Sequence, residues 1–193
     1  MTSPSTQEAK QSLRKSLQAT RRSTSLEPYF IEQLTKRGLF EISKYVGDVA
    51  IYMSLPEEPP TKDLIKEVMD SGRNVWLPRI ENDDLLWLKN PQEFKNGPFG
   101  ISEPVGQGVM AKDLTNLGAI ILPGLAVDVH GTRLGKGKGF YDRVLKQLPE
   151  TVRRIVFLFD DEFLLEIPKE DHDQPVHTIA TPLRSIHFTP IDT

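Results

Sequence analysis

The sequence predicts a single-domain, mostly parallel, doubly wound (Rossmann-like) α/β fold, a three-layer α/β/α sandwich occupying residues 1–193. Three observations predict it. Apolar runs alternate with amphipathic segments along the chain, which is the strand–helix–strand rhythm of a parallel sheet. The runs Gly118–Leu122 and Ile155–Phe159 are nearly continuous, as expected of strands covered on both faces. A chain of 193 residues can bury roughly 70% of its unfolded surface in one core, and no linker-like stretch divides it.

The first element is a helix from about Gln7 to Arg22, opened by Ser5 with Glu8 three residues later, a capping-box spacing that satisfies two backbone N–H groups. Ala9, Leu13 and Leu17 form its apolar stripe, while Lys10 and Arg14, four apart, project together from another side. A second helix follows Ser25 and runs from Glu27 towards Ser43, with Pro28 in its first turn and Phe30, Leu34 and Leu39 towards the core. Val49–Met53, a helix after Thr61 carrying Leu64, Ile65 and Val68, and Val75–Leu77 then make a βαβ unit. From Ile80 to Gly108, Pro91, Gly97, Pro98, Gly100, Pro104, Gly106 and Gly108 leave Leu85–Leu88 as a short strand, so the stretch reads as a long excursion covering one edge of a site. Gly118–Leu122, a helix over about Phe140–Leu148, Ile155–Phe159 and a last run near Val176–Ala180, closed by Pro182, complete the alternation.

Composition removes several classes of function. Without cysteine there is no disulfide framework, thiolate metal site or cysteine nucleophile, and a reducing compartment suits the chain. Lys+Arg number 24 and Asp+Glu 27, a net charge of −3 that argues against wrapping nucleic acid by phosphate neutralisation. The start has no apolar core of a secretory signal, and no segment approaches the roughly 18 consecutive apolar residues of a membrane span. A cytoplasmic protein with neither a nucleic-acid nor a membrane partner, acting as a monomer, is expected.

The densest unusual segment is Ile121–Arg143, ILPGLAVDVHGTRLGKGKGFYDR. Gly131–Gly139 holds four glycines in nine residues, where average usage of 13 in 193 would give fewer than one. Glycine lets backbone N–H groups approach an anion closely, and this run leads into a helix N-terminus whose free donors and dipole favour negative charge. Arg133, Lys136 and Lys138 add side-chain cations, so the loop is expected to hold an anion. The alternative is a mobile surface loop with solvated charges. Neither familiar phosphate motif fits, because Lys138 is followed by Gly139 rather than Ser or Thr, and the glycine spacing is not that of a dinucleotide loop. Asp142, in the first turn of the following helix, suits Mg²⁺ beside a polyphosphate, although the helix dipole favours an acid there with or without a metal. A second oxygen ligand is available in the acidic stretch Glu170, Asp171, His172, Asp173.

On these residues the chain resembles the 5-formyltetrahydrofolate cyclo-ligase family. LPGLAVDVHGTRLGKGKGFYDRVL is similar to its long motif, Lys10-x-x-Leu13-Arg14 to its N-terminal basic pair, Tyr52-Met53-Ser54 with Glu58 and Thr61 to its strand-end segment, and Glu170-x-His172-Asp173-x-Pro175 to its C-terminal acidic motif. The four matches occur in family order. The resemblance implies ATP-dependent closure of 5-formyltetrahydrofolate, with or without a polyglutamate tail, to 5,10-methenyltetrahydrofolate with release of ADP and phosphate. It implies that Lys10, Arg14, Arg133, Leu134, Gly135, Lys136, Gly137, Lys138, Gly139, Phe140 and Tyr141 bind ATP, with Arg133, Lys138 and Tyr141 in catalytic positions. Met53, Glu58 and Lys136–Phe140 would contact the folate, and Asp142 and Asp173 would hold Mg²⁺. Phe99 is a candidate for stacking on a folate ring, or an apolar anchor for its own loop. Phe140 stands where many relatives carry tyrosine, which leaves an aromatic face without a hydroxyl. Three other functions compete: a noncatalytic nucleotide or folate binder, a sugar-phosphate isomerase on a related scaffold, which would need no ATP, and a nucleic-acid role for the basic first helix.

Overall fold

The computed structural model describes residues 5–23, 27–97, 100, 102–170 and 173–188. Of the residues singled out above, Ser25, Pro98, Phe99, Asp171 and His172 lie outside these. Helix α1 (Thr6–Ser23) starts on the expected capping box, with Ser5 N–H donating to Glu8 Oε2 (2.9 Å) and Glu8 N–H to Ser5 Oγ (3.3 Å). Its Leu13 and Leu17 pack on Leu125, Ala126, Leu134 and Ile167, which places α1 against the glycine-rich motif instead of the main sheet.

Helix α2 (Pro28–Ser43) buries Leu34, Gly38 and Ile42, spaced four apart on one face. Phe30, expected in the core, is 38% exposed: the first turn of α2 lies beyond the packed face, and Phe30 meets the edge of the Tyr29 ring there instead. Gly38 marks close helix–sheet approach, because a Cβ at that position would come 2.5 Å from Phe157 Cζ.

The βαβ unit forms as predicted from β1 (Asp48–Ile51), α3 (Lys62–Asp70) and β2 (Val75–Glu81), with β1 and β2 parallel. The excursion holds more pairing than its prolines and glycines suggest. Strand β3 (Asp84–Lys89) returns antiparallel to β2 through a turn at Asn82 (φ 54°), and β4 (Phe94–Asn96) and β5 (Ser102–Pro104) form a separate antiparallel pair. Their three-residue length leaves no periodicity to read.

Strand β6 (Leu117–Pro123) is followed by β7 (Ala126–Asp128), β8 (Arg133–Leu134), α4 (Phe140–Gln147), β9 (Arg153–Phe157), β10 (Phe163–Leu164) and β11 (Thr178–Ala180). The last apolar run ends before Pro182 as expected, but it is not the last strand: β12 (Ser185–His187) turns back antiparallel to β11. The proline sits in the intervening turn, where its missing N–H leaves no ladder bond unmade.

The main sheet has seven strands in the order β12-β11-β9-β6-β1-β2-β3. Its inner strands are parallel and the edge strands β3 and β12 antiparallel. Side chains alternate across it: Val49, Ile51, Ala119, Ile121, Ile155 and Phe157 share a core with α2 and α3. Ala50, Ile120, Leu122 and Val156 share the opposite core with Val144 and Leu145 of α4. Each fully buried aliphatic side chain contributes about 1.5–3 kcal/mol. This is the expected three-layer, doubly wound sandwich. From β1 the chain steps outward one way to β2, whereas β6 lies on the other side of β1 and leads to β9 and β11, so the strand order reverses between β1 and β6. Such a reversal opens a crevice at the carboxyl ends of the two strands.

Candidate active site

A cavity of about 230 Å³ occupies that crevice. Tyr52 and Met53, just past β1, and Pro123 and Gly124, at the end of β6, form its floor. Lys10 and Arg14 of α1, the 133–142 segment, Glu170 and Asp173 line it from one side, and Pro78, Ile80, Leu85 and Glu103 from the β2, β3 and β5 side.

The glycine motif is held by a small sheet in the order β10-β7-β8, which no sequence pattern announced. Asp128, 1% exposed, organises its turn: Oδ1 accepts the N–H groups of His130 and Thr132 (both 2.9 Å), and Oδ2 accepts that of Ile167 (3.1 Å). Arg133 is 5% exposed; it donates to the Pro123 carbonyl (3.1 Å) and to Asp142 Oδ1 (2.8 Å), tying strand, loop and helix start together. Gly137 (φ 98°) and Gly139 (φ 69°) take left-handed conformations that a side chain would strain, and Gly139 caps α4. Lys138 is exposed, and its ammonium makes no hydrogen bond or ion pair among the described residues.

The other motifs converge on this loop. Lys10, buried at 3% exposure, pairs with Glu170 (2.8 Å) and Asp173 (2.5 Å), while Arg14 Nε donates to the Gly135 carbonyl (2.9 Å). Lys136 reaches Glu57 (3.0 Å) and Glu58 (2.8 Å). Burial pushes the Glu57 carboxyl up, but the Lys136 bond and charge outweigh it and hold the group below its ordinary value. Glu58, which spacing alone would leave at the surface, is 5% exposed and also accepts the Leu55 N–H (2.9 Å). The Tyr52 hydroxyl donates to the Pro59 carbonyl and Thr61 Oγ1 to the Tyr52 carbonyl (2.7 Å), folding this segment back so that Met53 and Glu58 both face the cavity. Burial and the neighbouring Glu58 push the Tyr52 and Tyr141 hydroxyls up, so both stay protonated at neutral pH.

Thus every site residue expected from the sequence and described in the structure lines this one cavity, and Phe99 lies outside the described residues. Asp142 and Asp173 both reach it, each already paired with a cation, Arg133 and Lys10 respectively. Among the described residues no group of three acidic or histidine side chains is placed to hold a metal unaided. Two carboxylates nevertheless fit Mg²⁺, which takes one or two acidic ligands and completes its shell with substrate phosphates and water.

Sequence reasoning missed Arg21. It is 3% exposed, donates to Glu162 through Nε (2.5 Å) and Nη2 (2.8 Å), and also donates to the Gly124 carbonyl (2.5 Å). Its spacing of seven from Arg14 places it on the same helical face and would have revealed it. Asp128 and Glu103 carry no comparable signal.

The sequence pattern of the 5-formyltetrahydrofolate cyclo-ligase family matches residues 6–182. The chain belongs to this family. As a cyclo-ligase family member it is an enzyme of the ligase class, and it is 35% identical over 186 residues to 5-formyltetrahydrofolate cyclo-ligase of Mycolicibacterium smegmatis, covering 92% of this chain and 96% of that one. The Escherichia coli cyclo-ligase is 31% identical over 140 residues, 69% of this chain and 77% of the relative. Among solved structures, Aquifex aeolicus 5,10-methenyltetrahydrofolate synthetase superposes with a TM-score of 0.76 at 29% identity, covering 92% of each chain. The Mycoplasma pneumoniae synthetase, at 16% identity and a TM-score of 0.71, shares the fold.

Proposed function

We propose that this cyclo-ligase family member converts 5-formyltetrahydrofolate and ATP to 5,10-methenyltetrahydrofolate, ADP and phosphate, with Mg²⁺. The observation that carries the reading is the convergence in one cavity of the Lys10–Arg14 pair, the cationic glycine loop and the Met53–Glu58 segment. The formyl group on N5 is an amide, and its oxygen leaves poorly until phosphorylated. The formyl oxygen attacks the γ-phosphorus and ADP departs. The N10 lone pair then attacks the activated carbon, N10 gives up its proton, and phosphate leaves with the C–O bonding electrons to form the methenyl bridge.

Phosphoryl transfer asks a protein chiefly for positioning and charge neutralisation. Lys10, Arg14, Lys136 and Lys138 supply the charge, and the backbone N–H groups of Gly135–Gly139 supply the cradle. Arg133 orients the loop through Pro123 and Asp142. Tyr141, kept protonated, can donate a hydrogen bond to the oxygen that gains charge. Mg²⁺, bound with the nucleotide, would be held by Asp142 and Asp173 and would neutralise phosphate charge. With the carboxylates so engaged, Lys10, which pairs with Asp173 here, would be free to meet the phosphates, while Arg133 keeps its bond to the Pro123 carbonyl. The test is purified protein with 5-formyltetrahydrofolate and Mg²⁺, following the absorbance of the conjugated product with and without ATP. Turnover only with ATP is expected; product formed at equal rate without ATP, or none with it, overturns the reading.

A further inference from the structure

Of the carboxylates that line the cavity, Glu58, Asp142, Asp173 and Glu170 each face a cation: Lys136, Arg133 and, for the last two, Lys10. Glu103 does not. It is 4% exposed, lines the cavity from β5, and its one hydrogen bond among the described residues is from Ile80 N–H to Oε1, at 3.2 Å. The nearby Arg79 guanidinium is directed to the carbonyls of Pro104 and Gly106 and to Glu81. The acid is also firmly placed. A Cβ on Gly97 would fall 2.3 Å from Glu103 Cγ and 2.7 Å from Oε2, so the missing side chain at 97 makes room for this carboxylate.

A carboxylate offers about four acceptor sites, and a buried one left underpaired is costly. A cavity wall that keeps such a group at a fixed place is built for a ligand with N–H donors. The other residues on this wall, Pro78, Ile80 and Leu85, are apolar and suited to a flat ring. We propose that Glu103 is a specificity-determining residue that accepts two adjacent N–H bonds, those of N3 and the 2-amino group, from the pterin of the folate substrate. The inference rests on the functional reading above and deepens it. It gives this role to Glu103 because Glu58, the acid first expected to meet the pterin, is engaged by Lys136 and the Leu55 N–H.

The experiment pairs Glu103→Gln with an analogue of 5-formyltetrahydrofolate carrying methyl in place of the 2-amino group. Glutamine keeps the volume and loses the charge and one acceptor. In the wild type, the analogue should raise KM about 10- to 100-fold, the range for hydrogen bonds to a charged group. Glu103→Gln should raise KM for the normal substrate by a similar factor and leave the affinity for a nonhydrolysable ATP analogue, measured by calorimetry, within about twofold. The two losses should not add, since each removes the same contact. Wild-type KM values equal for substrate and analogue overturn the proposal even if the variant does not fold. So does a folded variant with unchanged KM, or strict additivity of the two losses. Absence of wild-type turnover would instead defeat the functional reading on which this one stands.

Discussion

Replacing Arg21 by methionine removes a guanidinium from a place where nothing else can take its role. The side chains of Arg21 and Glu162 are 1% and 4% exposed, and the pair is joined through two nitrogens. Burial disfavours the charged guanidinium, but the Glu162 bond outweighs this and keeps Arg21 firmly protonated. Methionine matches the stem and leaves Glu162 buried with the Phe159 N–H (2.9 Å) as its one partner among the described residues. Breaking a buried pair from one side costs roughly 3–5 kcal/mol, a large share of the ~5–15 kcal/mol that a domain of this kind possesses. With a urea slope of about 2 kcal/mol/M, the unfolding midpoint should fall by about 2 M. The double variant Arg21→Met/Glu162→Gln, which neutralises the stranded acid while keeping an acceptor for Phe159, should recover at least about 1 kcal/mol. Because Lys10 and Arg14 ride on the same helix, the single variant should also raise KM for ATP more than that for folate. A midpoint shift below about 0.5 M, or additive effects of the two substitutions, would refute the claim that this pair anchors α1 to the end of β6.

Other perturbations separate chemistry from scaffold. Lys138→Ala should weaken nucleotide binding by about tenfold in calorimetry while the urea midpoint stays put, since an exposed charge contributes little to stability; unchanged affinity would remove Lys138 from the phosphate site. Asp142→Ala should lower turnover at least about 100-fold with the circular dichroism spectrum intact, and a rate near wild type would count against its metal role. His177 accepts the Arg154 N–H at Nδ1 (3.1 Å), and burial, aided by Arg153 and Arg154, lowers its pKa to about 4. The unfolded chain, with a histidine pKa of about 6.5, therefore binds the proton first, so this contribution is full above pH 6.5 and is lost as pH falls from 6.5 to 4. Discounted for partial exposure, the loss is about 2 kcal/mol. His177→Gln should flatten urea stability across that window, and an equally steep profile in the variant would show that other groups are responsible.

The strand rhythm, the first helix and the glycine-rich motif were legible in the chain because each rests on local physics. A capping box closes within four residues, as Ser5 and Glu8 do. A strand covered on both faces needs the unbroken apolar run seen around Ile120, and left-handed turns at Gly137 and Gly139 need glycine. Phe30, β12 and the paired strands of the excursion were misread for the converse reason. Phe30 is apolar in a helical pattern, yet its burial depends on how far the sheet extends beneath it, and strands of three residues pair only because tertiary neighbours hold them together.

The sequence by itself determined which residue types are available for phosphate and folate chemistry, and the periodicity that puts Lys10 and Arg14 on one helical side. Only the tertiary structure decided that Lys10 meets Asp173, that Lys136 meets Glu58, that Arg21 is a buried strut, and that Glu103 stands in the cavity wall with no cation beside it among the described residues. The physical reason is range. Backbone conformation and helical spacing are set by neighbours a few positions away, whereas the pairing of a buried charge depends on groups that the fold brings together from far along the chain, 141 positions for Arg21 with Glu162 and 163 for Lys10 with Asp173.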